Sequence, residues 1–333
     1  MKPKAVTPII FLFFIISLVV GIIMVSYSSY SFNNISTQKI HGHLEDIIEI
    51  RTDHVMTFLD GKKERLTDFS SDLFIKEKLK ELKGPSGEVS KKLSDYLRNN
   101  KIVLDESFYK IFVLNNEGKL VGTTNENEFG GDFSESSIFT KGKDTVYIRE
   151  YFYDEEFKRD GITLSAPIFD DGDFLGVIGI KMNLDQLGDI VVSAGKFSQY
   201  EELYVLDSSS FMITPSKFLR GADKGVLVQE VDTVNAEGCL KFISGDDSED
   251  SRINYFLNYR GEYVVGIYNP LPSTNWCLLV EIEVWGGLKT PQKEFIKNQI
   301  FTLIIIVMVM TLIGYFSGRF LEKKYSIKKR GRK

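Results

Sequence analysis

The sequence is poor in the residues that build metal centres and disulfide scaffolds. Its 333 residues include 2 Cys and 3 His, too few for a disulfide-dense fold or a four-cysteine zinc site. His41 and His43 are two positions apart on a predicted helix, so their rings point in different directions. The sequence has no nucleophile elbow, Walker loop, HExxH motif or catalytic carboxylate pair. We therefore expect no metal site, no cofactor and no enzymatic activity.

The two longest apolar runs contain no charged residue. They cover residues 5–25 and 300–317, about 21 and 18 residues, which is enough to cross a bilayer core. The first run could be a cleaved signal peptide, but it is longer than the usual apolar region of one, and no small-residue cleavage site follows. We therefore interpret both runs as transmembrane helices.

Basic residues flank both apolar runs on their outer sides. Lys2 and Lys4 precede the first run, and eight basic residues with one acid follow the second, from Arg319 to Lys333. The positive-inside rule then places residues 1–4 and 318–333 in the cytoplasm and residues 31–298 outside it, in a two-pass plasma-membrane protein. The basic tail can also contact anionic lipid headgroups.

The extracytoplasmic region is acidic. The whole chain has a net charge of −5, and leaving out both basic ends, with two and seven positive charges, gives about −14 for the middle. A region of that charge is unsuited to the phosphate backbone, which excludes a nucleic acid as its partner.

A long helical region is predicted for residues 31–100. From residue 33 to about 83, apolar residues recur at spacings of three, four and seven: Leu44, Ile47, Ile48, Val55, Phe58, Leu59, Leu66, Phe69 and Leu73. This spacing is typical of an amphipathic helix. It could form a coiled-coil stalk, but the apolar stripe is wide, which favours packing along a domain.

The remaining extracytoplasmic sequence reads as two copies of one strand-rich unit. YKIFVLNNEGKLVGTT at 109–124 aligns with EELYVLDSSSFMITPS at 201–216, each a strand, a polar turn and a strand. Residues 165–184 and 267–284 repeat a second hairpin with a proline-bearing strand. These repeats predict an α+β fold with tandem antiparallel modules, a membrane-distal one at 101–190 and a membrane-proximal one at 200–288.

The segments ITLSAPIFDDGDFLGVIGIKMNLDQL and NYRGEYVVGIYNPLPSTNWCLLVEIEV carry a family resemblance. Together with the long helix and the tandem modules, they resemble the double Cache (dCache) sensor domains of bacterial and archaeal chemoreceptors and sensor histidine kinases. The resemblance implies two PAS-like modules, a small-molecule ligand in the distal module, transmission of a signal through the helices, and a homodimer.

The amino-acid-binding members of that family carry motifs that this sequence lacks. Their arginine and tryptophan segment falls at residues 135–139, which contain neither residue, and the aspartate of their last strand falls at Lys181. Their Tyr-x-Asp element falls at 152–154, where Asp154 remains. A cation in place of a carboxylate reverses the charge of the site. The resemblance therefore does not imply an amino-acid receptor of the usual kind, and if Lys181 faces the pocket, its charge favours a carboxylate-bearing ligand over an amine.

The candidate ligand-binding residues lie on two predicted strands of the distal module. Alternation places Tyr147, Arg149, Tyr151 and Tyr153 on one face of a strand, with Asp154 next to them. They either line a pocket or cover the sheet, with Arg149 in water. Lys181 follows an apolar run, where an unpaired ammonium is costly. It either faces the pocket, meeting an anionic ligand or Asp154, or lies in water at the end of its strand.

The two cysteines, Cys239 and Cys277, both fall in the proximal module, in a compartment where disulfides persist. The family resemblance places the helix that ends near Cys239 against the strand that begins near Cys277. It therefore implies a disulfide between them, the alternative being two buried thiols.

These observations predict a membrane-anchored sensor that binds a small extracellular ligand. The tail at 318–333 has no room for a kinase or a methyl-accepting coiled coil, so the signal is expected to pass to a separate partner or to a missing output domain. The alternatives are a solute-capturing protein, a surface protein or an enzyme that shares the fold without signalling.

Overall fold

The chain folds into two compact units. The computed structural model describes residues 6–82, 87–125, 129–154, 157, 159–192, 199–221, 224–246 and 252–330. The first unit joins the residues up to His43 with those from Glu283 onwards, and the second comprises Leu44–Ile282. The predicted cytoplasmic residues 1–4 and the last three residues of the tail lie outside the described part.

The first unit contains the N-terminal part of one long helix, up to His43, and a second long helix near the C-terminus. Helix α1 is Val6–Ser70 and helix α7 is Thr290–Arg330. Both are long and apolar enough to cross a membrane. A side chain at Gly21 would overlap Leu303 of α7, so the missing Cβ lets the two helices approach each other closely, as small residues do in membrane helix pairs.

The part of α1 from Leu44 to Ser70 belongs to the second unit and packs within it. Its apolar stripe is buried there, at Leu44, Ile47, Ile48, Val55, Leu59, Leu66 and Phe69. The edge of the Phe69 ring meets Phe108 of the distal sheet, with 6.3 Å between the ring centroids. The sequence allowed either a coiled-coil stalk or a helix packed along a domain, and in the structure the helix packs along the domain.

The predicted helix from residue 33 to about 83 is in fact interrupted after Ser70. The carboxylate of Asp72 accepts a hydrogen bond from the Ile75 amide at 3.2 Å, and this cap starts helix α2, Leu73–Glu81. The interruption resets the helical phase, so Leu73, which the periodicity placed in the buried stripe, is 73% exposed. Helix α3, Glu88–Tyr96, and a π-helical turn, Leu97–Lys101, then lead towards the sheet.

The distal module is a five-stranded antiparallel sheet. Its strands are β1 Phe108–Asn115, β2 Leu120–Thr123, β3 Tyr147–Asp154, β4 Arg159–Asp170 and β5 Asp173–Met182, in the order β2-β1-β5-β4-β3. The short helix α4, Ser137–Thr140, covers one face, where Ile138 packs against Phe112 and Leu114 of β1. The Ser165 hydroxyl on β4 donates to the Ile138 carbonyl at 2.8 Å and fixes α4 on the sheet.

Helix α5, Asp185–Val192, comes between the two sheets in the chain. The proximal sheet contains β6 Glu201–Leu206, β7 Ile253–Leu257, β8 Tyr263–Leu271 and β9 Trp276–Glu283. Its order β6-β9-β8-β7 reproduces β1-β5-β4-β3 of the distal sheet. The fold is therefore the predicted α+β arrangement, a long N-terminal helix with two tandem antiparallel modules.

A disulfide joins Cys239 and Cys277 in the core of the proximal module. Cys239 lies on helix α6, Val234–Ile243, and Cys277 lies on β9, with 6.2 Å between their Cα atoms. Both residues are fully buried, in one apolar cluster with Tyr204, Leu279 and other side chains. The bond therefore ties α6 directly to one of the two central strands of the sheet.

Candidate functional site

Four polar residues form one row across the distal sheet. Lys110 on β1 is the register partner of Lys181 on β5. Lys181 is in turn paired with Thr163 on β4, and Thr163 is paired with Arg149 on β3. Register partners on neighbouring strands project from the same face of a sheet. This is the face that α4 covers, because Phe112 follows Lys110 at the two-residue spacing of a strand and packs against Ile138. We call these four residues the cationic row.

Burial differs along the cationic row. Lys110 is 4% exposed and Thr163 is 1% exposed, Lys181 is partly buried and Arg149 is exposed. The Thr163 hydroxyl has no hydrogen-bond partner within the described part of the chain. A buried hydroxyl normally finds a partner, so this one has hydrogen-bonding capacity left for a further polar group.

Asp154 brings a carboxylate to the same row. It is 4% exposed, and its Oδ2 accepts a hydrogen bond from the Lys181 ammonium at 2.6 Å. The Tyr109 hydroxyl lies 3.5 Å from the same oxygen, and the Phe157 amide donates to Oδ1 at 3.3 Å. The sequence left Lys181 either facing the pocket or in water at the end of its strand, and in the structure it contacts Asp154.

An aromatic ring lies over the two lysines of the row. The ammonium groups of Lys110 and Lys181 are 5.7 and 5.9 Å from the centroid of the Phe157 ring. Both distances are within the range of a cation–π interaction. The Tyr109 ring packs against Phe157, with centroids 5.1 Å apart. The row therefore combines positive charge, a hydroxyl and aromatic surface.

A β-bulge in β3 corrects the predicted grouping of the tyrosines. Register partners run from Arg149 with Thr163 to Phe152 with Gly161, so one extra residue is inserted between them. As a result Tyr153 lies on the face opposite to Arg149 and is 47% exposed, whereas Asp154 lies on the face of Arg149. The expectation that all four residues share a face is wrong for Tyr153, and the Tyr151 side chain lies outside the described part.

Tyr147 lies at the other end of β3. It is the register partner of Ser165, and the Lys141 ammonium stands 4.9 Å from the centroid of its ring. Tyr147 also lines a cleft of about 610 Å³, together with Lys63 of α1 and residues 273–276 of the turn between β8 and β9. It is thus placed at the edge of the distal module rather than in the cationic row.

The sequence arguments missed Lys110 and Thr163. Lys110 occupies an inward position of an apolar strand, two residues before Phe112. Burying an ammonium group there is costly unless a partner or a ligand compensates its charge. The same argument singled out Lys181, so it could also have found Lys110. Thr163 carries no comparable signal, because threonine is common in strands.

The chemistry of the row is that of an anion site. Lysine and arginine donate charge-assisted hydrogen bonds to carboxylates, and a threonine hydroxyl adds a neutral donor. Among the described residues no group of three His, Cys, Asp or Glu side chains could hold a metal ion. The chain thus combines tandem antiparallel modules of the PAS-like class with a polar row on one face of the distal sheet.

Comparison with known families agrees with this class. The Cache domain model dCache_1 matches residues 32–284, more than half of the chain. The chain therefore belongs to the double Cache family. A search of curated proteins found no match.

Solved sensor domains share the fold. The sensor domain of the V. cholerae histidine kinase DctB is 13% identical, with a TM-score of 0.53 over 74% of this chain and 98% of that domain. The domain of the Pseudomonas aeruginosa chemoreceptor PctC, solved with GABA, is 14% identical, with a TM-score of 0.51 over 73% and 99%. The Campylobacter jejuni Tlp3 domain, solved with 4-methylisoleucine, is 13% identical, with a TM-score of 0.53 over 76% and 94%.

Proposed function

We propose that the chain is a two-pass membrane receptor whose distal module binds a small carboxylate-bearing ligand at the cationic row. In this proposal the protein does no chemistry of its own. The signal passes through the helices to a membrane or cytoplasmic partner, or to an output domain outside this sequence. The observation that carries the proposal is the alignment of Lys110, Lys181 and Arg149 on one face. Beside them lies the Thr163 hydroxyl, which has no hydrogen-bond partner among the described residues.

The charge and geometry of the row support an anionic ligand. Arginine binds a carboxylate through two parallel hydrogen bonds, and each lysine adds a point charge. Neighbouring strands are about 4.8 Å apart, so the row spans about 14 Å from β1 to β3, and a small organic acid would contact only two or three neighbouring residues of it. GABA and 4-methylisoleucine, bound by the PctC and Tlp3 domains, each carry a carboxylate group.

Ligand binding is tested by thermal unfolding of the 31–298 fragment against carboxylates, amines, purines and sugars. We expect a carboxylate to raise the melting temperature, since a ligand at about 100 times its dissociation constant stabilises the folded state by about 2.7 kcal/mol. The substitution Arg149→Met should weaken binding by about tenfold or more, because it removes a charge-assisted hydrogen bond at an exposed position where folding is little affected.

The matched control is Lys119→Met. Lys119 forms an ion pair with Asp132 at the β1–β2 turn, away from the cationic row, so this variant should keep the full ligand response. A second variant, Lys181→Met, should also lose the response. Stabilisation by amines alone, or an unchanged response in both row variants, would contradict the proposed ligand class and its site.

The proposed topology places both termini in the cytoplasm and residues 31–298 outside. It rests on the two apolar helices and on the basic residues beyond them. Single cysteines introduced at Ser31, Asp246 and Lys324 of the intact chain should be labelled from outside at the first two positions and protected at the third. Protection of Asp246 in intact cells would refute this orientation.

The proposal also includes a homodimer and contact between the basic tail and anionic lipid. The eight basic residues between Arg319 and Lys333 give the tail the charge that such a surface attracts.

A further inference from the structure

The proximal sheet places two buried carboxylates side by side. Glu202 on β6 and Glu281 on β9 are register partners, and each is 1% exposed. Side chains at directly opposite positions of an antiparallel pair have Cβ atoms about 5 Å apart, and like charges there repel each other. At that separation in a buried environment, the two carboxylates are not readily ionised together.

The surroundings make the two acids unequal. Glu202 accepts hydrogen bonds from Ser216 Oγ at 2.6 Å, from the Tyr259 hydroxyl at 2.8 Å and from the Lys217 amide at 3.2 Å. The guanidinium of Arg260 lies 3.9 Å from its Oε2. The Glu202 carboxylate is thus surrounded by three donors and a cation.

Glu281 is surrounded by neutral donors instead. It accepts hydrogen bonds from the Tyr204 hydroxyl and from Asn258 Nδ2, the latter at 3.0 Å. Burial, with the neighbouring charge of Glu202, raises the pKa of Glu281 to about 7. Burial also raises the pKa values of Tyr204 and Tyr259, so both hydroxyls stay protonated when Glu281 titrates.

The other elements around the pair bring few charges to it. Strand β8 contributes Gly266, whose Cβ position would lie 3.2 Å from Glu281 Cγ, and α6 contributes the buried amide of Asn235. The charged residues of α6, Glu237 and Lys241, pair with each other at the surface. Among the described residues, the titratable and charged groups that surround the pair are Tyr204, Tyr259, Lys217 and Arg260, with Glu201 next in sequence on the opposite face of β6.

We propose that Glu202 and Glu281 form a proton-binding site that makes the proximal module a sensor of extracytoplasmic pH. With a proton on Glu281, β6 and β9 pair without like-charge repulsion. When that proton leaves, the negative charges of Glu202 and Glu281 face each other across β6 and β9. Strand β9 is the last strand of the sheet, and the chain continues from it towards α7. This second input does not depend on a ligand at the cationic row, so its test is made without one.

The proton itself is followed by infrared spectroscopy on the intact chain in lipid nanodiscs. A buried protonated carboxyl group has its own carbonyl band, which disappears on ionisation. With a pKa of about 7, the band should fall about tenfold from one pH unit below that value to one above it. The substitution Glu281→Gln should abolish this titration, whereas Glu283→Gln, on the partly exposed end of the same strand, should keep it.

A second variant covers the case in which Glu281→Gln does not fold. Glu202→Gln removes the neighbouring charge, so the midpoint of the Glu281 band should move to lower pH. The folded state holds the proton more tightly than the unfolded chain. The melting temperature of the wild type should therefore fall, relative to Glu281→Gln, as the pH rises from about 4.5 to about 7.

The sensing step is followed by hydrogen exchange in the same nanodiscs. After correction for the intrinsic effect of pH, amides of β9 should exchange several-fold faster above the midpoint than below it in the wild type, and at one rate in Glu281→Gln. Amides of β5 in the distal sheet serve as the internal reference. The proposal is overturned if the band does not titrate between about pH 5.5 and pH 8.5. It is equally overturned if the band titrates while β9 exchange stays constant.

Discussion

The substitution Lys62→Met is expected to lower the free energy of unfolding of the 31–298 fragment by about 3–5 kcal/mol, the usual cost of removing one partner from a buried ion pair. The Lys62 ammonium lies 2.7 Å from Asp105 Oδ2, 3.0 Å from Ser107 Oγ and 3.1 Å from Gln186 Oε1. Lys62 is 8% exposed. Methionine fills a similar volume but leaves Asp105 with only the longer ion pair to Arg65, at 3.9 Å. Urea unfolding followed by circular dichroism measures the loss.

The adjacent Lys63 provides the matched control. It also pairs with an aspartate on α1, Asp60, at 2.9 Å, but that pair lies at the surface. Lys63→Met should therefore cost less than about 1 kcal/mol. Equal losses in the two variants would show that the Lys62 contacts contribute no more than a surface ion pair.

The effect of Lys62→Met should also depend on pH. Burial raises the pKa of Asp105, but hydrogen bonds from Lys62 and Ser107 outweigh it and hold that pKa below its ordinary value. A lowered carboxyl pKa stabilises the fold above the unfolded-state pKa, and this contribution is lost as the pH falls through the folded-state pKa. The difference between wild type and variant should therefore shrink below about pH 4.

Loss of the disulfide is expected to destabilise the proximal module by about 3–4 kcal/mol. Cys239 and Cys277 are separated by 38 positions, and the stabilisation follows from the reduced chain entropy of an unfolded state closed into a loop of that length. The measurement compares urea unfolding of the oxidised fragment with that of Cys239→Ala/Cys277→Ala. Amide exchange in the distal sheet, which the bond does not touch, should be the same in both.

The state of the cysteines is checked separately by thiol titration of the unfolded, unreduced fragment. No reactive thiol is expected, because the structure joins the two cysteines and they are the only ones in the sequence. Two reactive thiols per chain would refute the bond and leave the cysteines as small apolar core residues.

Features that depend on local sequence could be predicted. The two apolar helices follow from uncharged runs long enough to cross a bilayer, and the tandem modules follow from two pairs of similar hairpins. The contact between Lys181 and Asp154 was one of two alternatives, because the cost of burying an ammonium requires a partner or a ligand. Each of these features depends on residues that are close together in the chain or on the burial of a single residue, so it can be recognised from the sequence.

Features that depend on strand register could not be predicted. One extra residue between Arg149 and Phe152 moves Tyr153 to the other face, and alternation has no means of revealing a bulge. The pairing of Glu202 with Glu281 joins strands that are far apart in the chain. The interruption of the helix at Asp72 could not be predicted either, since an aspartate can either cap a helix or lie on its surface.

Helix α1 has a mechanical consequence. It runs for 65 residues without a break, about 98 Å at 1.5 Å per residue. Its one proline, Pro8, lies in the first turn, where proline does not break a helix. Each residue of a helix is turned by about 100° from the one before. Within the second unit, the buried stripe from Leu44 to Phe69 therefore keeps a fixed angular phase along α1, so a rotation of the helix would turn all of its side chains together.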